Sequence, residues 1–188
     1  MIAYISLGIA TLGAITGISG LLIQFFQYLV QKPKIKILEV DQYPNLLFST
    51  EESKKYVKLD RHPLGNDGYR YGIINLEISN TSRSDVTVNS INTTNFGVFV
   101  HLEYKFEFKE KHISTDAQGY ATYKRVKIFP KIEIPKRLNQ YDAVSCSIPI
   151  FMNNHFQGNE IDLLIKTPVK VFKKHVVFLE LEKYFQNP

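Results

Sequence analysis

The chain has 188 residues, a formal net charge of +5, 44% hydrophobic residues and a single cysteine. That hydrophobic share excludes wholesale disorder, and one cysteine excludes an internal disulfide. Residues 1–31 contain no Asp, Glu, Lys or Arg, so all of the basic excess belongs to residues 32–188.

From Ile2 to Ile23 the sequence is almost wholly apolar or small. As a helix, about 22 residues rise roughly 33 Å, enough to cross a hydrocarbon core of about 30 Å. A cleavable signal has a basic start and a small-residue end. This run has neither, and it closes on Gln24, Phe25, Phe26, Gln27 and Tyr28. Segment 1–31 is therefore expected to be a transmembrane helix. Tyr4 at one end and Phe25, Phe26 and Tyr28 at the other suit the membrane interfaces. Lys32, Lys34 and Lys36 come immediately after. An excess of Lys stays in the cytoplasm, which places the N-terminus outside and the rest of the chain in the cytosol of a single-pass membrane protein. The same lysines can meet lipid headgroups.

Small residues in this segment are ordered. Ala3, Ser6, Ala10, Gly13, Gly17 and Gly20 recur at alternating steps of three and four, and Gln24, Gln27 and Gln31 continue the alternation. Such a stripe is a heptad seam, and Gly13 to Gly17 is a G-x-x-x-G. Small residues let helix backbones approach closely in lipid, so the span is expected to self-associate into a homo-oligomer. A parallel dimer and a larger ring share this pattern. A ring lined by Ser6 and the Gln residues would be a pore.

Pro33 ends the helix. Residues 32–36 form a short basic connector, and 37–188 are expected to form one β-domain. Lys34 to Val40 alternates as a first strand. Lys54 to Leu59 reads as another, and Arg61 to Gly68 as a turn-rich loop. Tyr69 to Asn80 is the clearest strand, with Ile74, Leu76 and Ile78 on one face and Asn75 and Glu77 on the other. Asp85 to Ile91 and the long aromatic run Phe96 to Phe108 come next, with His101 facing outward. Glu110 to Gly119 reads as a polar loop, Tyr120 to Phe129 as a strand, and Pro130 and Pro135 bracket a short one. In Ala143 to Phe151 the alternation buries Cys146 with Val144 and Ile148, and Pro149 places the strand's end at an edge or bulge. Glu160 to Ile165 and Val169 to Leu181 complete the series, and helix is expected only in the span. About seven to nine short antiparallel strands with turns between them indicate a β-sandwich or barrel.

Two stretches carry a resemblance: Ile78-Ser-Asn-Thr-Ser-Arg-Ser-Asp-Val-Thr-Val88, and Ile134-Pro-Lys-Arg-Leu-Asn-Gln-Tyr-Asp-Ala-Val144. The chain resembles small bacterial membrane proteins that have one N-terminal span, a Lys-Pro-Lys exit and a cytosolic immunoglobulin-like domain. The resemblance implies an immunoglobulin-like β-sandwich and a topology. It implies no activity and no functional residue, because such proteins mostly lack an assigned function.

Chemistry is sparse. His62, His101, His112, His155 and His175 lie far apart, without ligand partners at metal spacing. No phosphate loop or nucleophile motif is present. Asp60, Asp67 and Asp85 fall in turns. The sequons Asn80-Thr-Ser82 and Asn92-Thr-Thr94 would go unused in a cytosolic domain. Two basic stretches, Lys124, Arg125, Lys127 and Lys131, then Lys170, Lys173 and Lys174, alternate with aromatics. They suit an anionic surface, either lipid headgroups or single-stranded nucleic acid. The expected function is a membrane-anchored, non-enzymatic binding or sensing module without a cofactor. Its partners would be the membrane, further copies of the chain, and a cytosolic protein or small ligand. A membrane-permeabilising effector triggered through the β-domain, as in anti-phage defence, is the second reading. A membrane-tethered nucleic-acid binder is the third.

Overall fold

The computed structural model describes residues 2–59, 69–104 and 106–186, and of residues 2–10, 30, 31 and 59 it describes the backbone alone. Asp60, His62, Asp67 and the loop expected at 61–68 lie outside the described residues. An apolar helix, α1 (Ile2–Gln31), precedes a mostly β chain. Its first half runs β1 (Ile35–Glu39), β2 (Leu46–Ser49), α2 (Thr50–Tyr56), β3 (Val57–Leu59), β4 (Arg70–Asn80), β5 (Val86–Val88), β6 (Ser90–Thr93), β7 (Val98–Val100) and β8 (Phe106–Phe108). Its second half runs β9 (Lys111–Thr115), β10 (Ala121–Lys124), β11 (Lys136–Leu138), β12 (Ala143–Met152), β13 (Glu160–Lys166), β14 (Val171–Val177), β15 (Leu179–Glu180) and α3 (Leu181–Gln186).

A six-stranded sheet forms the middle layer, in the order β15, β2, β4, β12, β7, with β1 also paired to β4. β12 lies along one edge of β4 from Ala143 opposite Ser79 to Met152 opposite Arg70. The other edge is shared: β2 takes its first residues and β1 its last, with Ile35 opposite Asn80. Every pairing in this sheet is antiparallel except that of β15 with β2.

Both faces of this sheet are buried. On one face Ile74, Leu76, Ile78, Cys146, Ile148 and Ile150 meet Val88, Ile91, Leu138, Leu163, Ile165 and Val176. The opposing strands are the β14–β13–β6 sheet and the β11–β5 pair. On the other face Leu46, Phe48, Tyr71, Ile73 and Phe151 meet Val57, Phe106, Phe108, Val126, Leu181 and Phe185. That second cover is built from β3, β8, the segment after β10, and the two short helices.

The second cover explains where the structure departs from the periodicity. The run Phe96 to Phe108 is divided, because β7 pairs with β12 in the middle sheet while β8 crosses to pair with β3. His101 sits in the turn between them, its ring 4.8 Å from that of Phe151. Lys54 to Tyr56 is helical, not extended. Ser49 caps α2, accepting from the Glu52 amide at 3.2 Å, while the Glu52 carboxylate accepts from the Ser49 amide at 2.6 Å. This is a capping box, and Ser49-Thr-Glu-Glu52 is its signature in the sequence. Leu181 and Phe185 begin and nearly end α3, one turn apart and both buried. The expected polar loop Glu110 to Gly119 is half strand: β9 and β10 form a hairpin, with the Asp116 carboxylate accepting from the Gln118 and Tyr120 amides. Both strands are largely exposed, so no alternation marks them.

Pro149 stays within β12, which lies inside the sheet. Its carbonyl accepts from His101 just beyond the end of β7, so its missing N–H faces away from β4 and removes no bond to that strand. Between Pro130 and Pro135 only an isolated bridge forms, Lys131 with Ser147, and the Ile134–Pro135 peptide is cis.

The two stretches that carry the resemblance are bound to each other. β5 pairs with β11, Val86 opposite Leu138. The buried Asn80 side-chain amide donates to the carbonyls of Ser84, Leu138 and Asn139, and its oxygen accepts from Ser82. Asp85 meets Arg137 at 2.5 Å and accepts from the Gln140 amide.

Candidate functional site

Three features bear on function: α1, the hollows beside residues 125–130, and the basic side chains.

In α1 the stretch Thr11–Leu29 has a mean hydropathy of 1.4, and none of it is buried against the domain. The Thr16 and Ser19 hydroxyls are satisfied within the helix. Thr16 donates to the carbonyls of Leu12 and Gly13, and Ser19 donates to that of Ile15 at 2.8 Å. Such internal bonds let Ser and Thr sit in an apolar medium. Gly13, Gly17 and Gly20 have open space where a Cβ would stand. With Gln24 and Gln27 they fall along one stripe of the helix. Of the seam positions, the side chains of Ala3, Ser6, Ala10 and Gln31 lie outside the described residues. At the exit, the Lys32 ammonium stands 5.1 Å over the Tyr28 ring. Lys34 and Lys36 are exposed.

Residues 125–130 run extended over the second face of the middle sheet without joining a ladder. Val126 turns inward and is buried, Ile128 is half-buried, and Arg125 and Lys127 point out. A hollow lies on each side. One, of about 310 Å³, has a floor of Ile73, Tyr104, Phe106 and Ile128 and a rim of Lys131, Glu133 and Ser147. The other, of about 630 Å³, lies between Arg125, Lys127 and Phe129 on one side and Phe106, Glu107 and Phe108 on the other. Tyr43 closes this second hollow, stacked on Phe129 at 3.9 Å. Small-ligand sites commonly have volumes of about 300–1,000 Å³, mostly apolar with a few convergent polar groups. The arrangement can hold a small apolar or amphipathic group. The nucleophile types nearby are committed: Ser147 donates to Asn75 at 2.5 Å, and burial pushes the Cys146 thiol up to about 12.

The two basic stretches do not form one surface. Lys124, Arg125, Lys127 and Lys131 belong to the second cover. Lys170, Lys173 and Lys174 belong to the sheet on the opposite face. Lys124 bonds the Tyr184 carbonyl at 2.8 Å and lies 4.4 Å over that ring. Burial raises the Tyr184 phenol above its ordinary value. Lys174 pairs with Glu39 at 2.7 Å, and Lys173 with Asp162 at 2.8 Å. The hydrogen bond from Lys173 holds the Asp162 carboxyl below the usual carboxylate range, helped by His175 at 3.3 Å. Lys170 lies over Phe172. Arg125, Lys127 and Lys131 remain grouped and exposed beside the hollows. The periodicity gave no sign of Lys111, which lies between the rings of Tyr56 and Phe185 at 4.9 and 4.8 Å and pins the β9–β10 hairpin to both short helices. Among the described residues, no group of three or more His, Cys, Asp or Glu is placed to hold a metal ion.

No protein-family model matches this chain, and no curated protein matches it at a significant level.

Proposed function

We propose that this protein is a membrane-anchored, non-enzymatic binding module: α1 spans the bilayer and associates with its own kind, and the β-domain binds a protein or small ligand in the cytosol. The observation that carries the reading is the bare, charge-free surface of Thr11–Leu29, which the domain leaves uncovered. Lys32, Lys34 and Lys36 at its C-terminal end support a cytosolic domain. Two layers facing one another across the larger apolar cluster support an immunoglobulin-like sandwich, here with a third layer added over the outer face. That added layer holds the two hollows, which makes it the part of the domain best suited to a ligand.

The anchor is tested on the full chain reconstituted into lipid vesicles. The chain is expected to stay with the lipid through alkaline carbonate washing. Ile15→Lys with Ile18→Lys is expected to release it, because each lysine at the centre of a span costs about 2.5–3.5 kcal/mol of insertion. Extraction of the parent chain, or retention of the double-lysine variant, overturns the reading.

A further inference from the structure

Three chain segments define one end of the β-domain. The exit of α1 enters β1 at Ile35, opposite Asn80. The turn Asn139 to Asp142 enters β12 at Ala143, and the Asn80 backbone amide donates to the Asp142 carbonyl at 2.8 Å. The turn Thr167 to Lys170 points the same way. β13 approaches it antiparallel to β6, and β14 leaves it alongside β1, where Lys174 reaches Glu39.

Two apolar side chains stand out from this end. In the first turn the Asp142 amide donates to the Asn139 carbonyl at 3.1 Å, and Tyr141 has φ +57°. Positive φ at the third position of such a turn is ordinarily left to Gly or Asn. A Tyr there carries backbone strain, and no burial offsets it, since Tyr141 is 63% exposed. Val169, at the tip of the other turn, is 74% exposed.

Cations surround them. Lys32, Lys34, Arg83 and Lys170 are exposed at this end. Of the nearby acids, Asp85 is held by Arg137, and Asp142 accepts from the Ala143 amide at 2.9 Å. Distance from the membrane is limited as well. Only Lys32 and Pro33 separate α1 from Lys34, whose carbonyl accepts from the Thr81 amide at 2.8 Å. Three residues reach at most about 10 Å.

The geometry points to a second membrane contact: the end bearing Tyr141, Val169, Arg83 and Lys170 docks on an anionic bilayer surface, with the Tyr141 ring among the headgroups. Tyr is at home in that layer, having an apolar ring and a wet hydroxyl. Cations near an anionic leaflet are attracted within a Debye length. The inference rests on the reading of α1 as a span.

The chain contains no Trp, so one introduced Trp is a clean reporter. Three variants of the full chain are reconstituted into vesicles containing brominated lipid: Phe25→Trp in the span, Tyr141→Trp at the docking end, and Phe96→Trp. Phe96 is 84% exposed beside the far end of β12, about 30 Å from Tyr141 along that strand. Phe25→Trp and Tyr141→Trp are expected to be quenched and Phe96→Trp to be unaffected. On anionic vesicles, adding Arg83→Glu with Lys170→Glu should lower the docked population roughly tenfold or more, and raised salt should act the same way. Tyr141→Gly relieves the strained turn while removing the ring, so it should keep the fold and weaken docking. Quenching of Phe25→Trp with none of Tyr141→Trp overturns the docking alone. So does equal quenching of Tyr141→Trp on neutral and anionic vesicles. An unquenched Phe25→Trp overturns the docking and the span together.

Discussion

Cys146 is buried on the inner face of β12, and burial raises its thiol to about 12. The neutral thiol is the form the fold favours. Its contribution to stability is complete below the unfolded value, near pH 8.5, and is lost as pH rises toward the folded value. At pH 8 the native chain should react with a thiol reagent roughly a thousandfold more slowly than the urea-unfolded chain. Comparable rates would place the thiol in contact with water. The position of Cys146 was legible in the sequence, because Val144, Cys146 and Ile148 alternate toward an apolar core. Asn75 was not. The alternation sets it with Glu77 opposite Ile74, Leu76 and Ile78, yet it is fully buried, bonded to Ser147, to the Pro44 carbonyl and to Asn45. A period of two reports which residues share a face and says nothing about whether that face meets water.

Among the elements, β13 buries one stripe, alternates over its length and was readable. β4 and β12 were found from the apolar stripe they turn to the larger cluster, although side chains on both of their faces are buried. β7 and β8 came as one aromatic run, because both sides of the bend between them are apolar. α2 is marked by its capping box alone, and the β9–β10 hairpin by the turn around Asp116. In α1 the stripe through Gly13, Gly17 and Gly20 is where two helix backbones can approach most closely. Gly13→Leu with Gly17→Leu should abolish self-association of the span in a membrane reporter assay while leaving insertion intact. Unchanged association would remove this stripe as the contact.

For the molecule as a whole, the consequence of two covers is a middle sheet whose central strands have no solvent side over residues 71–76 and 146–152. β4 and β12 pair along ten residues and contribute side chains to both apolar clusters. Their amides should be the last to exchange with deuterium, and those of β9 and β10 among the first, since that hairpin is largely exposed and held by its turn and by Lys111. Equal protection of hairpin and centre would contradict this layering. The expectation of a β-domain behind an apolar helix holds at this scale. Among the described residues, fifteen strands stand where seven to nine are expected. The difference arises because runs such as Phe96 to Phe108 are divided between layers. The separation of the two basic stretches was equally hidden, since only the crossing of the chain between layers assigns them to opposite faces.

β1 lies at the margin of the middle sheet, paired on one side only. The helix therefore enters the domain off-centre, through a link held at Lys34 by Thr81. Packed helices stand about 8–10 Å apart, whereas a domain of this length has a radius of gyration near 15 Å. Two domains centred on two such helices would overlap. Were two such helices paired across a bilayer, as proposed, an eccentric mounting would let each domain swing clear on its own side, and would make it a lever arm through which a load at its far side reaches the pair as torque about the bilayer normal.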